Sequence, residues 1–235
     1  MKRLAPAIIF LVALSANAWT PAADRVIAIR AARLAPRDLR LLLDRLQRQY
    51  LEGIARGLAE EGVDIHHHHL RQRIESETKK TIVMLRTGQP MDEIVRRLGI
   101  LAHLVGDANN PFHVGADTEL EPSRSDFEHY FEERLGHFPT VFYGLDLRLG
   151  VVLDRTFARS ARLAPLMNEE YFRGGARRTA RDFDDRSTAF GVASICYSHA
   201  VTDLVSIYYY IWREAGGDVR SAPSMRTPRV ITNAP

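Results

Sequence analysis

Residues 91–113, MDEIVRRLGILAHLVGDANNPFH, decide the fold class that the sequence predicts. Their apolar side chains recur at helical spacing and form one stripe along a helix. The stripe consists of Ile94, Leu98, Leu101 and Val105. A proline cannot donate the backbone hydrogen bond that a helix interior needs, so Pro111 is expected to end the helix. The pattern therefore predicts a helix that begins near Met91 and ends before Pro111.

The same spacing recurs along most of the chain. It predicts helices from Pro36 to about Leu58, from near His69 to Arg86, and around Ser125–Leu135, Gly150–Ala164, Pro165–Ala180 and Ser187–Ala215. Strict alternation of apolar and polar residues, which is typical of half-buried strands, is nearly absent. We therefore predict an all-α, single-domain multi-helix bundle over residues 19–217. Residues 218–235 are predicted to be a disordered tail because the end of the chain is rich in Pro, Ser, Thr and Asn.

The first eighteen residues have the features of a secretory signal peptide. The basic start Met1-Lys2-Arg3 precedes the apolar run Ala7–Leu14, and Ala16-Asn17-Ala18 is a small-residue cleavage site. The sequence therefore predicts a secreted or periplasmic protein cut between Ala18 and Trp19; the alternative is an uncleaved anchor. Removing the leader changes the balance from 32 basic against 29 acidic side chains to 30 against 29. No stable nucleic-acid binding is expected from so even a balance.

Side chains suited to catalysis or metal binding cluster in the second half of residues 91–113. His103 and Asp107 are four residues apart, so on a helix they lie one above the other, opposite the apolar stripe. We therefore expect them outside the main core face. Gly99 and Gly106 would let another backbone or a metal ion approach closely. The turn after the helix would bring His113 back to the same region, and such imidazole and carboxylate ligands suit Zn²⁺; the alternative is a surface pair and a loop histidine.

A run of four histidines, His66–His69, could supply a further ligand. Its position inside the chain argues against an expression tag. Adjacent helical residues point about 100° apart, so one histidine of the four is expected to face a metal ion. We name His69, although the spacing does not select it over His66, His67 or His68. Three carboxylates just upstream compete for a ligand role: Glu60, Glu61 and Asp64.

Residues 125–133, SDFEHYFEE, offer another histidine and carboxylate pair. His129 and Glu133 are four residues apart, and Asp126 lies about one turn before His129 on a similar face. The competing interpretation is an acidic amphipathic helix. Its core side would then carry Phe127, Tyr130 and Phe131.

The last predicted helix repeats the same spacing with His199 and Asp203. Apolar neighbours on most sides indicate that this helix is largely buried. A buried pair of this kind is either an internal ion pair or a metal ligand with the carboxylate that orients it. The sequence favours a structural or supporting role for both residues.

Taken in order, these features resemble the superfamily of zinc-dependent phospholipase C and the S1/P1 nucleases. The spacing of His103, Asp107 and His113 is similar to its central motif, H-x₃-D-x₅-H. Trp19 matches its N-terminal ligand, which binds through the amine and the carbonyl, and His129 with Glu133 has the spacing of the ligands that follow. The resemblance implies the all-α phospholipase C and P1 nuclease fold, up to three Zn²⁺ ions, and Asp107 as a catalytic carboxylate shared between two of them.

Three departures bear on that resemblance. Asp24 stands where the nuclease branch has a histidine ligand; because a carboxylate can also ligate zinc, Asp24 is predicted as a possible or supporting ligand. The carboxylate that precedes the second family histidine has no clear counterpart. In an alternative alignment with the family motif (the alternative register), Arg124 and Glu128 take the places of His129 and Glu133. One zinc would then lack its histidine ligand. The only cysteine is Cys196, so no intrachain disulfide forms, which favours the bacterial phospholipase-like branch.

The resemblance implies a zinc-dependent hydrolase of phosphodiester bonds that uses zinc-activated water. We expect phospholipid head groups as substrate ahead of nucleic acid, with transient contact to a membrane surface. One alternative is an S1/P1-like single-strand nuclease. Alternatives from other classes are a non-catalytic, metal-binding member of the superfamily and a helical envelope protein whose His–Asp pairs are structural. The sequence leaves the oligomeric state open.

Overall fold

The computed structural model describes residues 19–60, 69–115, 120–220 and 228–231. The described helices are α1 (Pro21–Leu34), α2 (Arg37–Arg45), α3 (Gln47–Glu60), α4 (Leu70–Arg86), α5 (Met91–Ala108), α6 (Pro111–Val114), α7 (Arg124–Arg134), α8 (Leu149–Tyr171) and α9 (Thr188–Glu214). Short 3₁₀ turns occur at Glu121–Ser123, Arg173–Gly175 and Ala180–Asp182, and two short strands are β1 (Thr140–Phe142) and β2 (Arg229–Ile231). The prediction of an all-α fold is confirmed.

Helix α9 lies at the centre of the bundle, with α1, α4, α5 and α8 packed around it. Among the described helices, it is the one whose length and composition would suit a membrane span, with a hydropathy of 1.3 over its most apolar window. In this fold 72% of that window is buried. Its apolar side chains therefore form core against the surrounding helices.

Helices α3 and α5 cross at two glycines. A Cβ atom on Gly53 would lie 2.0 Å from the carbonyl oxygen of Arg96, and one on Gly99 would lie 2.2 Å from that of Tyr50. Both distances are far below van der Waals contact, so only glycine allows the two backbones to come this close. The close approach expected at Gly99 is confirmed. The crossing fixes the position of α5 along α3, and α5 carries the candidate ligands.

Replacing Gly99 by alanine is expected to lower the free energy of unfolding by about 3 kcal/mol, at the upper end for overpacking, because the clashing atom is backbone and cannot rotate away. Gly191→Ala is the matched control, since nothing lies within 4 Å of a Cβ there. In α9 that alanine is expected to raise stability by up to about 1 kcal/mol. Urea unfolding of both variants tests the crossing, and equal stability of Gly99→Ala and the wild type would contradict it.

A ladder of hydroxyl groups on α9 holds the chain segment that contains β1. The side chains of Ser198, Thr202 and Ser206 repeat every four residues, so they lie on one face of α9. Their oxygens accept backbone N–H groups at distances of 3.1–3.3 Å, from Val141, Tyr143 and Asp146 respectively. An extended segment thereby satisfies its backbone donors against a helix.

Strand β2 corrects the prediction of a tail that is disordered throughout residues 218–235. Arg229–Ile231 pairs antiparallel with β1, in the register Thr140 to Ile231. The sequence signal was weak because the ribbon is only three residues long on each side. Such a ribbon depends on the docking of β1 onto α9 more than on its own pattern.

The helices differ from the sequence prediction in three places. Helix α1 was not predicted, although its start has an ordinary signal: the Thr20 hydroxyl accepts the N–H of Ala23 at 3.2 Å, and Pro21 is the first helical residue. The helix predicted from Pro36 breaks at Leu46 into α2 and α3. Conversely, α8 continues through Pro165 as one helix because residues on both sides of the proline are buried in the core.

Candidate metal centre

Three buried side chains from two helices form the candidate metal centre: Asp24 of α1, and His103 and Asp107 of α5. Nδ1 of His103 lies 2.7 Å from Oδ2 of Asp24, and Nε2 of the same ring lies 3.4 Å from Oδ2 of Asp107. One ligand atom from each residue lies within 4.8 Å of the other two, and none of the three residues is more than 2% exposed. The centre joins α1 to α5 deep inside the bundle.

The donor set fits a divalent cation of the zinc type. Zinc takes imidazole nitrogen and carboxylate oxygen ligands at about 2.0–2.2 Å. Two ligands at that distance in a tetrahedral arrangement lie roughly 3.3 Å apart, by the geometry of those bond lengths. The 3.4 Å between His103 Nε2 and Asp107 Oδ2 agrees with this spacing. The 2.7 Å contact with Asp24 is instead a hydrogen-bond distance, typical of a carboxylate that orients a ligand histidine.

Trp19 and Gly106 bring the start of α1 to the centre. The indole Nε1 of Trp19 donates a hydrogen bond of 2.8 Å to the carbonyl oxygen of Gly106. A Cβ on Gly106 would lie 2.9 Å from Oδ1 of Asp24 and 3.4 Å from Cδ1 of Trp19, so two side chains, rather than another backbone, approach this glycine closely. The Trp19 ring is buried and packs on Phe131 of α7, with ring centroids 3.9 Å apart. Ligation by the amine of Trp19 stays a prediction.

His113 lies in a neighbouring buried pair. Asn110 caps α6 by accepting the N–H of Phe112 at 3.0 Å, and the short helix places His113 against α7. Nε2 of His113 lies 4.0 Å from Oε1 of Glu128. Both residues are buried, at 1% and 7% exposure. His113 is outside the group of three whose ligand atoms lie within 4.8 Å, so the described residues form two adjacent polar sets.

The structure does not bring His129 and Glu133 to either set. Both side chains are exposed, and Nδ1 of His129 faces the carbonyl oxygen of Ser125 at 2.7 Å. The buried residues of α7 are those of the alternative register, Arg124 and Glu128. Nη2 of Arg124 donates to the carbonyl oxygen of Phe112 at 3.4 Å, and its guanidinium pairs with Glu121.

Asp126 and His69 also lie outside the two sets. The Asp126 carboxylate accepts the Tyr171 hydroxyl at 2.9 Å and the N–H of Ala180 at 2.7 Å, so it ties α7 to the segment after α8. His69 is exposed at the start of α4, with Nδ1 3.1 Å from Oε1 of Gln72. The other candidates of that region lie outside the described residues: His66, His67, His68, Glu61 and Asp64, together with the side chain of Glu60.

The expectation that His103 and Asp107 lie away from the main core face is wrong. Every residue of α5 from Leu98 to Ala108 is buried. The apolar stripe identified one contact face, but α1, α3, α4, α8 and α9 together pack around this helix. A histidine and an aspartate inside such a helix need polar partners, and Asp24 supplies one of them.

His199 and Asp203 occupy a second polar region, a cavity of about 100 Å³ between α8 and α9. Asp203 pairs with Arg159 and accepts the hydroxyl of Thr156 at 2.8 Å. The His199 ring stacks on Tyr143 with centroids 3.9 Å apart. Burial, with a further contribution from the Arg159 charge, lowers the pKa of His199 to about 3, so its imidazole is neutral at neutral pH.

Arg159 connects this cavity to the candidate metal centre. Its guanidinium donates to Oδ1 of Asn109 at 2.9 Å. Asn109 follows the last residue of α5 and lies two positions after Asp107. Asp203 is therefore linked through Arg159 to the turn between α5 and α6.

The chain was compared with known proteins. No protein-family profile matches it, and no curated protein sequence matches it. Among solved structures it is similar to the alpha-toxin of Clostridium perfringens from an avian strain, with a TM-score of 0.56 and 14% sequence identity. The match covers 88% of this chain and 66% of the alpha-toxin chain, so this chain spans about two thirds of that protein's length. These values establish a distant structural relationship and show that the two chains share a helical fold.

Proposed function

We propose that this protein is a zinc-dependent hydrolase of phosphodiester bonds, similar to phospholipase C, with phospholipids as its substrate class. The observation that supports this most directly is the buried group of Asp24, His103 and Asp107. Two of these residues are those that the sequence resemblance identifies as ligands, and the distant likeness of fold to alpha-toxin agrees with that resemblance.

His103 and Asp107 are the residues that would hold the cation. Asp24 accepts the Nδ1 proton of His103, and this directs the lone pair of Nε2 toward Asp107. Two carboxylates beside one imidazole, all with almost no solvent exposure, are ligand types that a divalent zinc ion takes. When bound, zinc supplies Lewis-acid chemistry: it activates water and stabilises negative charge on the oxygens of the phosphodiester.

The second polar set bears on how many ions the protein holds. Among the described residues, His113 and Glu128 bring one imidazole and one carboxylate to this set, where a typical catalytic zinc site has three protein ligands. The Arg124 guanidinium, one helical turn before Glu128, adds a positive charge there. This supports a second candidate function, a member that binds metal without turnover.

Elemental analysis and turnover assays test the proposal together. The purified protein is expected to contain at least one zinc per chain. It should also release the head group of a short-chain phosphatidylcholine faster than it cleaves single-stranded DNA. Zinc without turnover of either substrate would support the non-catalytic function, and faster cleavage of DNA would support the nuclease. Folded protein that takes up no divalent metal would contradict the phospholipase-like hydrolase, the nuclease and the non-catalytic metal-binding function alike.

We further propose that the protein is exported and cut before Trp19, as residues 1–18 predict. The role proposed for the Trp19 amine depends on this cleavage. Mass spectrometry of the protein recovered from the periplasm or medium tests the position of the cut.

A further inference from the structure

The cavity between α8 and α9 is a polar site apart from the candidate metal centre. It encloses about 100 Å³, and no residue of the candidate metal centre lines it. Its wall carries three groups with N–H donors: the guanidinium groups of Arg155 and Arg159 and the imidazole of His199. Clefts for drug-sized ligands enclose roughly 300–1,000 Å³, so an occupant of this cavity has only a few non-hydrogen atoms.

The charged side chains at this cavity favour a negative occupant. Asp146, in the cavity wall, pairs with Arg148 and Arg155. Asp203, also in the wall, pairs with Arg159. Three guanidinium groups therefore pair with only two carboxylates, and one positive charge is left over. A small anion would balance that charge.

Both arginines of the wall have donor nitrogens to offer such an anion. Arg155 donates hydrogen bonds through Nε and Nη2, and Arg159 donates through Nη2. Among the described residues, no group accepts a hydrogen bond from Nη1 of either side chain. A guanidinium has five N–H donors in a planar fork, and that fork matches the oxygen atoms of a carboxylate or a phosphate.

His199 contributes a polar ring to the same cavity. The ring stacks on Tyr143 with centroids 3.9 Å apart, and this contact fixes its orientation. Nδ1 of His199 is buried, and no described residue forms a hydrogen bond with it. Burial and the charge of Arg159 hold the pKa of His199 at about 3, so the site opposes a further positive charge. A buried polar atom without a partner in the chain is costly unless an outside group meets it.

We propose that the cavity between α8 and α9 binds one small oxyanion, separately from the chemistry at the candidate metal centre. Nη1 of Arg155 and of Arg159 donate to its oxygen atoms, and the imidazole of His199 supplies a further hydrogen bond. The site does not depend on zinc or on phosphodiester hydrolysis. It therefore goes beyond the proposed function.

Calorimetric titration of the whole protein with inorganic phosphate at constant ionic strength tests the proposal. One phosphate per chain is expected to bind with a dissociation constant of about 1 mM or below. Arg155→Gln should weaken binding about 10- to 100-fold, because it removes hydrogen bonds from a charged donor. His199→Phe keeps a ring against Tyr143 and should weaken binding about fivefold through the loss of one neutral hydrogen bond.

Arg148→Gln is the matched control. Arg148 pairs with Asp146 as Arg155 does, but its side chain is 73% exposed and does not line the cavity. Its replacement should therefore leave phosphate affinity nearly unchanged. Competition by acetate distinguishes the two sources of the oxyanion: acetate that displaces phosphate shows that a carboxylate also fits, and acetate without effect shows that the site is specific for a tetrahedral oxyanion.

Three outcomes overturn the proposal. The first is a folded wild-type protein that binds neither phosphate nor acetate. The second is phosphate binding that Arg155→Gln and His199→Phe both leave unchanged. The third is binding that Asp107→Ala abolishes and Arg155→Gln does not, because the phosphate would then be bound at the candidate metal centre. Failure of the hydrolytic function is separate, since a protein without zinc or turnover should still bind phosphate at this cavity.

Discussion

Asp107→Ala is expected to remove the bound divalent metal and to lower phosphodiester hydrolysis by about three orders of magnitude. A metal ion supplies several kcal/mol of stabilisation to such a transition state, and each factor of ten in rate corresponds to about 1.4 kcal/mol. Asp107 is 1% exposed, and its Oδ2 lies 3.4 Å from Nε2 of His103. Without its carboxylate the centre keeps one imidazole and the oxygen atoms of Asp24. Zinc content by elemental analysis and hydrolysis of a short-chain phosphatidylcholine are the two measurements.

Two further variants test whether the loss of metal and activity is specific to Asp107. Asp92→Ala is the matched control, since Asp92 lies in the first turn of the same helix and forms an exposed pair with Arg96. Such an exposed pair contributes little to stability, so zinc content and activity should not change. Asp24→Asn should weaken zinc binding by about 10- to 100-fold without abolishing it, because Asp24 orients His103. Unchanged zinc content in Asp107→Ala would remove Asp107 from the site.

His103 and Asp107 of the candidate centre were predictable because they are close together in the sequence. His103 and Asp107 lie on one helix, and a separation of four residues places them on one face in any α-helix. Gly106 was identified on the same local ground. Helical spacing could not identify the partner of the pair, since Asp24 is 79 residues from His103 in the chain; only the family resemblance named Asp24, as a possible or supporting ligand. Only the packing of α1 against α5 brings these residues together, and α1 itself was not predicted.

The burial of α5 shows a second limit of the sequence. A single apolar stripe predicts one contact face, but the small residues Gly99, Ala102 and Gly106 let other helices cover the remaining faces. Small side chains contribute little to a hydrophobic pattern even where they permit the closest packing. The same applies to the hydroxyl ladder of α9, where Ser198, Thr202 and Ser206 look polar in the sequence yet lie buried against a chain segment.

The register of α7 was available from the sequence but was not resolved. If Phe127 and Phe131 face the core, then Arg124 and Glu128 share that face, since positions separated by three, four and seven residues lie together on a helix. His129 lies about 200° from Phe127 on the same reasoning. The structure has this arrangement, with Arg124, Phe127, Glu128 and Phe131 all buried. The aromatic residues Phe127 and Phe131 therefore indicate which face of α7 is buried, whereas the spacing of His129 and Glu133 indicates the opposite face.

Arg124→His is expected to raise the metal content by one divalent ion per chain. Arg124 is 6% exposed and lies one turn before Glu128 on the inner face of α7, and its Nη2 reaches the carbonyl oxygen of Phe112, the residue before His113. A histidine there would complete a set of two imidazoles and one carboxylate, three protein ligands of the kind that zinc takes. It would also remove a buried positive charge that opposes a cation. The added ion should be detected by elemental analysis and by a second step in a zinc titration.

The double variant Arg124→His, Glu128→Ala is the decisive comparison. If the added ion depends on both residues, the double variant should return to the metal content of the wild type. His129→Ala and Glu133→Ala, on the exposed face of α7, should leave the metal content unchanged in either background. If replacing His129 in the wild type instead removes zinc, His129 and Glu133 are the ligands, and the metal ion is bound at the exposed face of α7. A stable Arg124→His protein with unchanged metal content would contradict the prediction.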